Sequence, residues 1–274
     1  MIKNLADTVV LNNGVKMPGF GLGVYKVEDG ETVVYAVRTA IEYGYRHIDT
    51  ASFYHNERGV GKAIRESGIP REELFITSKV WNDQQGYEST LKAFDESLEK
   101  LGTDYLDLYL VHWPVSGKYK ETYRALEKLY EDGRVRAIGV SNFHVHHLND
   151  LLAVCKVKPA INQVEYHPHL TQVDLKAFCE QENIQLEAWS PLKRGRLLDD
   201  PMLTEIGKKY RKSVPQVILR WDIQNHVITI PKSIKAERIR ENADIFDFEL
   251  TDGEMKQINE LNINERSGSN PDDF

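Results

Sequence analysis

The sequence predicts an α/β chain folded as a (β/α)8 TIM barrel, with an N-terminal β-hairpin plug and extra C-terminal helices. Three observations carry this. Short apolar, β-branched runs alternate with longer amphipathic ones along most of the chain, the pattern of strands joined by crossover helices. The strand-like runs are eight: Gly19 to Val24, Arg46 to Ala51, Leu74 to Val80, Leu106 to His112, Arg136 to Asn142, Ala160 to Tyr166, Ile184 to Pro191 and Val227 to Ser233. Their starts lie 27, 28, 32, 30, 24, 24 and 43 residues apart, which fits one strand and one helix per unit and an additional helix in the last.

Each element has its own local reason. Thr8 to Leu11 and Val15 to Met17 flank Asn13-Gly14, a strong hairpin turn, and a hairpin there would plug the barrel's N-terminal end. In Lys118 to Asp132, Tyr123, Leu126, Leu129 and Tyr130 recur at helical spacing, and Gly133 follows where a C-terminal cap belongs. Similar amphipathic stretches run from Glu31 to Tyr43, Asn56 to Ser67, Tyr87 to Leu101, His144 to Val154 and Thr171 to Glu182. Ala236 to Phe246 and Thr251 to Leu261 read as the eighth and a terminal helix, and residues 264–274 as an irregular tail. With no linker or shift in composition, residues 1–274 are expected to form one domain.

Composition narrows the function. The 274 residues are 41% hydrophobic and 28% charged, ordinary for a globular chain, and 42 acidic against 35 basic residues give a net charge of −7. With no basic block, nucleic acid is not an expected partner. No apolar run nears the roughly 18 residues of a membrane helix, and the start turns polar before a signal-peptide core can form. A cytoplasmic protein is expected. Cys155 and Cys179 fall in helix-like patterns without metal-motif spacing, as thiols of a reducing compartment would.

In a parallel barrel the loops after the strand C-termini form the functional face, and nearly every strand here ends in a polar residue. Strands lie about 4.8 Å apart, so Asp49, Lys79 and His112, at the ends of strands two, three and four, can converge. Tyr54 sits in the loop five residues past Asp49. An Asp49–Lys79 ion pair would keep the lysine charged. An ammonium about 4 Å from the Tyr54 hydroxyl is worth on the order of 4 kcal/mol at an effective dielectric of 20, enough to bring a phenol down from about 10 toward neutrality. His112 can donate to the same oxygen. The set suits protonation of an oxygen that gains negative charge, but it holds no source of hydride or electrons.

A cofactor would supply that source, and the last third of the chain has parts for one. Trp189 can stack on a nicotinamide ring, while Ser141, Asn142 and Gln163 can bond its carboxamide. Lys232, Ser233 and Arg238 bring two cations and a hydroxyl near the start of the Ala236 helix, whose N-terminus favours an anion. Arg with Lys suits a 2′-phosphate, so NADPH is preferred over NADH. Tyr25, Phe53, Trp81 and Trp113 follow strand ends and, with His112, can wall a substrate pocket.

These segments resemble one family. Gly44-Tyr45-Arg46-His47-Ile48-Asp49-Thr50-Ala51, followed by Tyr54, Asn56 and Glu57, is similar to the first aldo-keto reductase signature. Leu108 to Pro114, Ile138 to Phe143 and Ile230 to Ser233 also match that family, in order along the chain. The resemblance implies an NADPH-dependent reductase of small carbonyl compounds, with Tyr54 as proton donor and Asp49, Lys79 and His112 as its partners. It places the adenosine-phosphate site at Lys232, Ser233, Arg238, Glu241 and Asn242, and it favours a monomer. The short connection after His112 and the clipped tail resemble the prokaryotic branch with 2,5-diketo-gluconate and glyoxal or methylglyoxal reductases.

The same residues admit other readings. Asp49 and Lys79 could form a purely structural ion pair, Lys79 could serve a Schiff-base lyase, or the barrel could bind nucleotide without catalysis. Gly19-Phe20-Gly21-Leu22-Gly23 lacks Rossmann spacing and is expected to let backbone approach a ligand. Gly59-Val60-Gly61-Lys62 is followed by Ala63 where a P-loop needs Ser or Thr, so it reads as helix. His144, His146 and His147 are not spaced for one helical face, and no metal site is expected there.

Overall fold

The computed structural model describes residues 2–274. Strands β1 (Thr8–Val10) and β2 (Lys16–Pro18) pair antiparallel, Val9 opposite Met17, across a turn in which Gly14 takes a left-handed φ of 84°. The turn is tied to the barrel: Asn12 Nδ2 donates to the Pro159 carbonyl at 2.8 Å and Asn13 Nδ2 to that of Arg136 at 3.0 Å. Leu11 and Met17 are buried against Phe75, Leu108, Leu110, Ile161 and Ile228. The hairpin is the expected plug.

Eight parallel strands follow, paired in chain order: β3 (Leu22–Gly23), β4 (His47–Asp49), β5 (Phe75–Val80), β6 (Leu106–Val111), β7 (Val135–Ser141), β8 (Ile161–Glu165), β9 (Gln185–Trp189) and β10 (Ile228–Thr229). The ring closes between its first and last members. Gly21 N–H donates to the Thr229 carbonyl at 3.0 Å and Gly23 N–H to that of Pro231 at 3.3 Å. The two edge strands are shorter than expected because they meet in separate bridges, Phe20 with Thr229 and Gly23 with Lys232, rather than a continuous ladder. The glycine run lies along this seam, where side chains have no room. A Cβ on Gly21 would lie 2.5 Å from His47 Nδ1, and one on Gly23 would lie 2.9 Å from the Ile230 carbonyl oxygen.

Helices α1 (Glu31–Tyr43), α2 (Glu57–Glu66), α3 (Tyr87–Leu101), α4 (Tyr119–Glu131), α5 (Val145–Leu152) and α6 (Val173–Gln181) separate successive strands. The long last gap holds two, α7 (Pro201–Tyr210) and α8 (Val214–Gln224); α9 (Ala236–Ala243) and α10 (Asp252–Asn259) follow β10. In α4, Tyr123, Leu126 and Leu129 face inward as their spacing predicts. Helix α9 ends at Ala243, short of Phe246, where Asp244 turns to φ −86°, ψ 63°. The main core lies between the strands and the helix ring, around Phe94, Tyr109, Leu126, Ile138 and Trp221. Cys155 is half-buried and Cys179 buried, both as free thiols. Among the described residues no helix is long and apolar enough to cross a membrane.

Candidate active site

Sequential strand order makes Asp49, at the end of β4, Lys79, near the end of β5, and His112, just past β6, neighbours at one rim of the barrel. Lys79 Nζ is buried 2.6 Å from Asp49 Oδ1, 2.9 Å from the Thr50 carbonyl and 3.4 Å from the Tyr54 hydroxyl. Tyr54 stands on a single 3-10 turn, Ser52–Tyr54, which His55 ends in a left-handed conformation, φ 55°. Asn56 holds this loop in place: its Oδ1 accepts from the Thr50 hydroxyl at 2.8 Å, and its Nδ2 donates to the Val24 and Val27 carbonyls at 2.9 Å each. The four predicted residues therefore meet, and local chain geometry holds them there.

Their protonation follows burial as much as charge. Burial pulls the Lys79 ammonium down, but its surroundings, led by the charge and hydrogen bond of Asp49, more than offset this and hold it above the ordinary lysine range. The Tyr54 phenol does not fall toward neutrality as expected. Burial pushes it up to about 12; Lys79 pulls the other way, and the Asp49 charge weakens that pull. Removing a phenolate from water costs more than the nearby ammonium returns. Tyr54 thus carries its proton at neutral pH, with its oxygen beside the Lys79 ammonium. Burial, helped by Lys79, holds His112 well below the usual histidine range, so it is a neutral donor.

Aromatic rings wall this group. Trp81 stacks on Phe53 with ring centroids 3.6 Å apart and meets His112 edge-on at 5.0 Å, while Tyr25 leans on Tyr54 at 5.0 Å. Trp113 faces Phe274 at 4.5 Å. The expected tail is therefore part of the wall, and it is anchored: the backbone N–H groups of Ser267 and Gly268 donate to Glu165 at 2.6 and 3.0 Å.

Across the rim, Asn142 takes a left-handed φ of 65° and donates to the His112 carbonyl at 2.9 Å. Its Oδ1 accepts from Trp189 Nε1 at 2.8 Å, and the Ser141 hydroxyl donates to the Gln163 carbonyl at 2.8 Å. Gln163 Nε2 donates to Asp49 Oδ2 at 2.8 Å and to Glu187 Oε2 at 2.9 Å. Sequence reasoning missed Glu187. The available signal was alternation, since Gln185, Glu187 and Trp189 share one face of β9 and Glu187 pairs with Gln163. Beyond β10, Ser233 and Asn242 are buried, whereas Lys232, Arg238 and Glu241 are exposed with no side-chain partner among the described residues.

The three histidines meet at one carboxylate despite their spacing. His144 is the N-cap of α5, with extended backbone at φ −76°, ψ 170°, and so stands outside helical periodicity. His144 Nδ1, His146 Nε2 and His147 Nε2 approach Asp272 Oδ1 to 3.1, 3.1 and 3.6 Å. Arg266 donates to His144 Nε2 at 2.8 Å, and the His144 backbone N–H to His147 Nδ1 at 3.1 Å. Both contacts leave the ring N–H facing Asp272, the reverse of what a metal ligand needs. The cluster grips the tail carboxylate.

Fold and rim together define an α/β-barrel enzyme with a buried lysine–aspartate pair at its rim. Residues 19–263 match the model of the aldo/keto reductase family. The chain is 63% identical to glyoxal reductase of Bacillus subtilis, covering 100% of this chain and 99% of that one. It is 56% identical to 9,11-endoperoxide prostaglandin H2 reductase of Trypanosoma cruzi over 98% and 96% of the two chains. The solved aldo-keto reductase of Bombyx mori in complex with NADP superposes with a TM-score of 0.91 at 39% identity, over 99% of this chain and 97% of that one. The chain belongs to the aldo/keto reductase family.

Proposed function

We propose that this protein reduces aldehydes and ketones to alcohols with NADPH, and that small dicarbonyls such as glyoxal and methylglyoxal are its substrates. The Tyr54 hydroxyl 3.4 Å from the buried, Asp49-paired Lys79 ammonium carries the reading. When bound, NADPH would supply the hydride that the carbonyl carbon receives. Tyr54 protonates the carbonyl oxygen, Lys79 stabilises the phenolate left behind, and neutral His112 orients the same oxygen. The residues suit the cofactor: Trp189 offers a ring face, Gln163 keeps its amide oxygen for the carboxamide, and exposed Lys232 and Arg238 suit a 2′-phosphate. Ser141 and Asn142 complete the carboxamide side, and Ser233, Glu241 and Asn242 the adenosine side. Tyr25, Trp81 and Trp113 border the substrate.

The NADP-bound Bombyx mori neighbour and the glyoxal reductase relative support cofactor and substrate class. A Schiff-base lyase needs a neutral amine at Lys79, which its pairing with Asp49 opposes. A monomer in a reducing compartment completes the proposal. Mixing the protein with NADPH and methylglyoxal should consume the reduced cofactor. Tyr54→Phe should lower kcat by at least about 10²-fold with NADPH binding retained, and turnover at the parent rate in that variant would refute the assignment.

A further inference from the structure

We infer that Glu187 is a positioning residue, which together with Asp49 pins both amide hydrogens of Gln163 and so fixes its carbonyl oxygen as the acceptor for the nicotinamide carboxamide. The inference rests on the proposed NADPH reading. An amide can present either end to a ligand, and the two ends demand opposite partners. Here the inward end is set by two carboxyl groups from different strands, at 2.8 Å from Asp49 Oδ2 and 2.9 Å from Glu187 Oε2. Those contacts use both N–H donors. Gln163 Oε1 takes no partner among the described residues.

Glu187 has no other evident task. It is completely buried, its Oε1 has no hydrogen-bond partner, and its nearest histidine nitrogen, His47 Nε2, is 3.6 Å away. Asp49, already paired with Lys79, offers Gln163 one acceptor, and a single acceptor leaves the amide plane free to swivel. The second acceptor, across the β8–β9 pairing of Gln163 with Glu187, removes that freedom. Burial also pushes the Glu187 carboxyl up to about 8, with the Asp49 charge adding to it. It therefore accepts from Gln163 as a neutral acid at pH 7, and adds no second negative charge against the Lys79 ammonium.

The test compares NADPH with its reduced 3-acetylpyridine analogue, which lacks carboxamide N–H groups. The parent protein should bind NADPH more tightly than the analogue. Glu187→Met should narrow that preference about three- to tenfold, the worth of one hydrogen bond, and Glu187→Gln, which restores an acceptor, should recover it. Circular dichroism checks the fold. If the methionine variant does not fold, Glu187→Asp, which withdraws the carboxyl by one methylene, should show the same narrowing. A parent-like preference in the folded acceptor-free or shortened variant overturns the inference. Failure of the parent protein to bind either dinucleotide overturns the functional reading instead, and this inference with it.

Discussion

In the proposed reaction, Tyr54, Lys79, Asp49 and His112 share a task that none has alone. The lysine stays charged through Asp49, and the phenol keeps its proton through burial, which holds it at about 12. That order of effects is what a general acid requires, since a phenol already ionised at neutral pH has no proton to give. On the far side, Lys232 and Arg238 are exposed cations without protein partners among the described residues. Arg238→Ala is expected to weaken NADPH about tenfold, the loss of one charge-assisted hydrogen bond, with little effect on NADH. Equal losses for both dinucleotides in a binding titration would remove the 2′-phosphate assignment.

The barrel strands were readable because each places its polar residue at the same end of a regular βα unit. Asp49, Lys79 and His112 could be brought together from strand spacing alone. The seam was not readable. Its glycines respond to contacts between β3 and segments far along the chain, which no local pattern encodes. Gly21→Ala would press a methyl group against His47 of β4 and should destabilise the fold by about 1–3 kcal/mol, seen as a lowered Tm; an unchanged Tm would show that this close approach tolerates a side chain. The same limit explains the histidines. Helical periodicity sets His146 apart from His144, whereas the N-cap conformation of His144 and the return of Asp272 bring all three histidines together.

Folding buries a titratable cluster inside the barrel whose members oppose one another. Burial, with Lys79 adding to it, holds His47 down to about 3, against about 6.5 for an unfolded histidine. The unfolded chain then binds a proton that the folded one refuses, so the His47 contribution is lost as pH falls through about 6.5 toward 3. Glu187, raised to about 8, has the opposite sign, with stability present below about 4.3 and lost as pH rises toward 8. The stability difference between the parent and His47→Asn should therefore shrink on acidification, and that between the parent and Glu187→Gln on alkalinisation. Denaturant unfolding across pH 4 to 8 measures both, and parallel curves would show that neither group titrates as described.

The order of residues along the chain settled the barrel, its plug and the four rim residues, because each lies in a repeating unit whose period and polar strand ends are local properties. Protonation, the closing seam, the tail that brings Phe274 to Trp113, and the turning of Gln163 by Glu187 came from folding. They depend on removal from water and on contacts between residues up to about two hundred positions apart, and neither can be read from a stretch of neighbours.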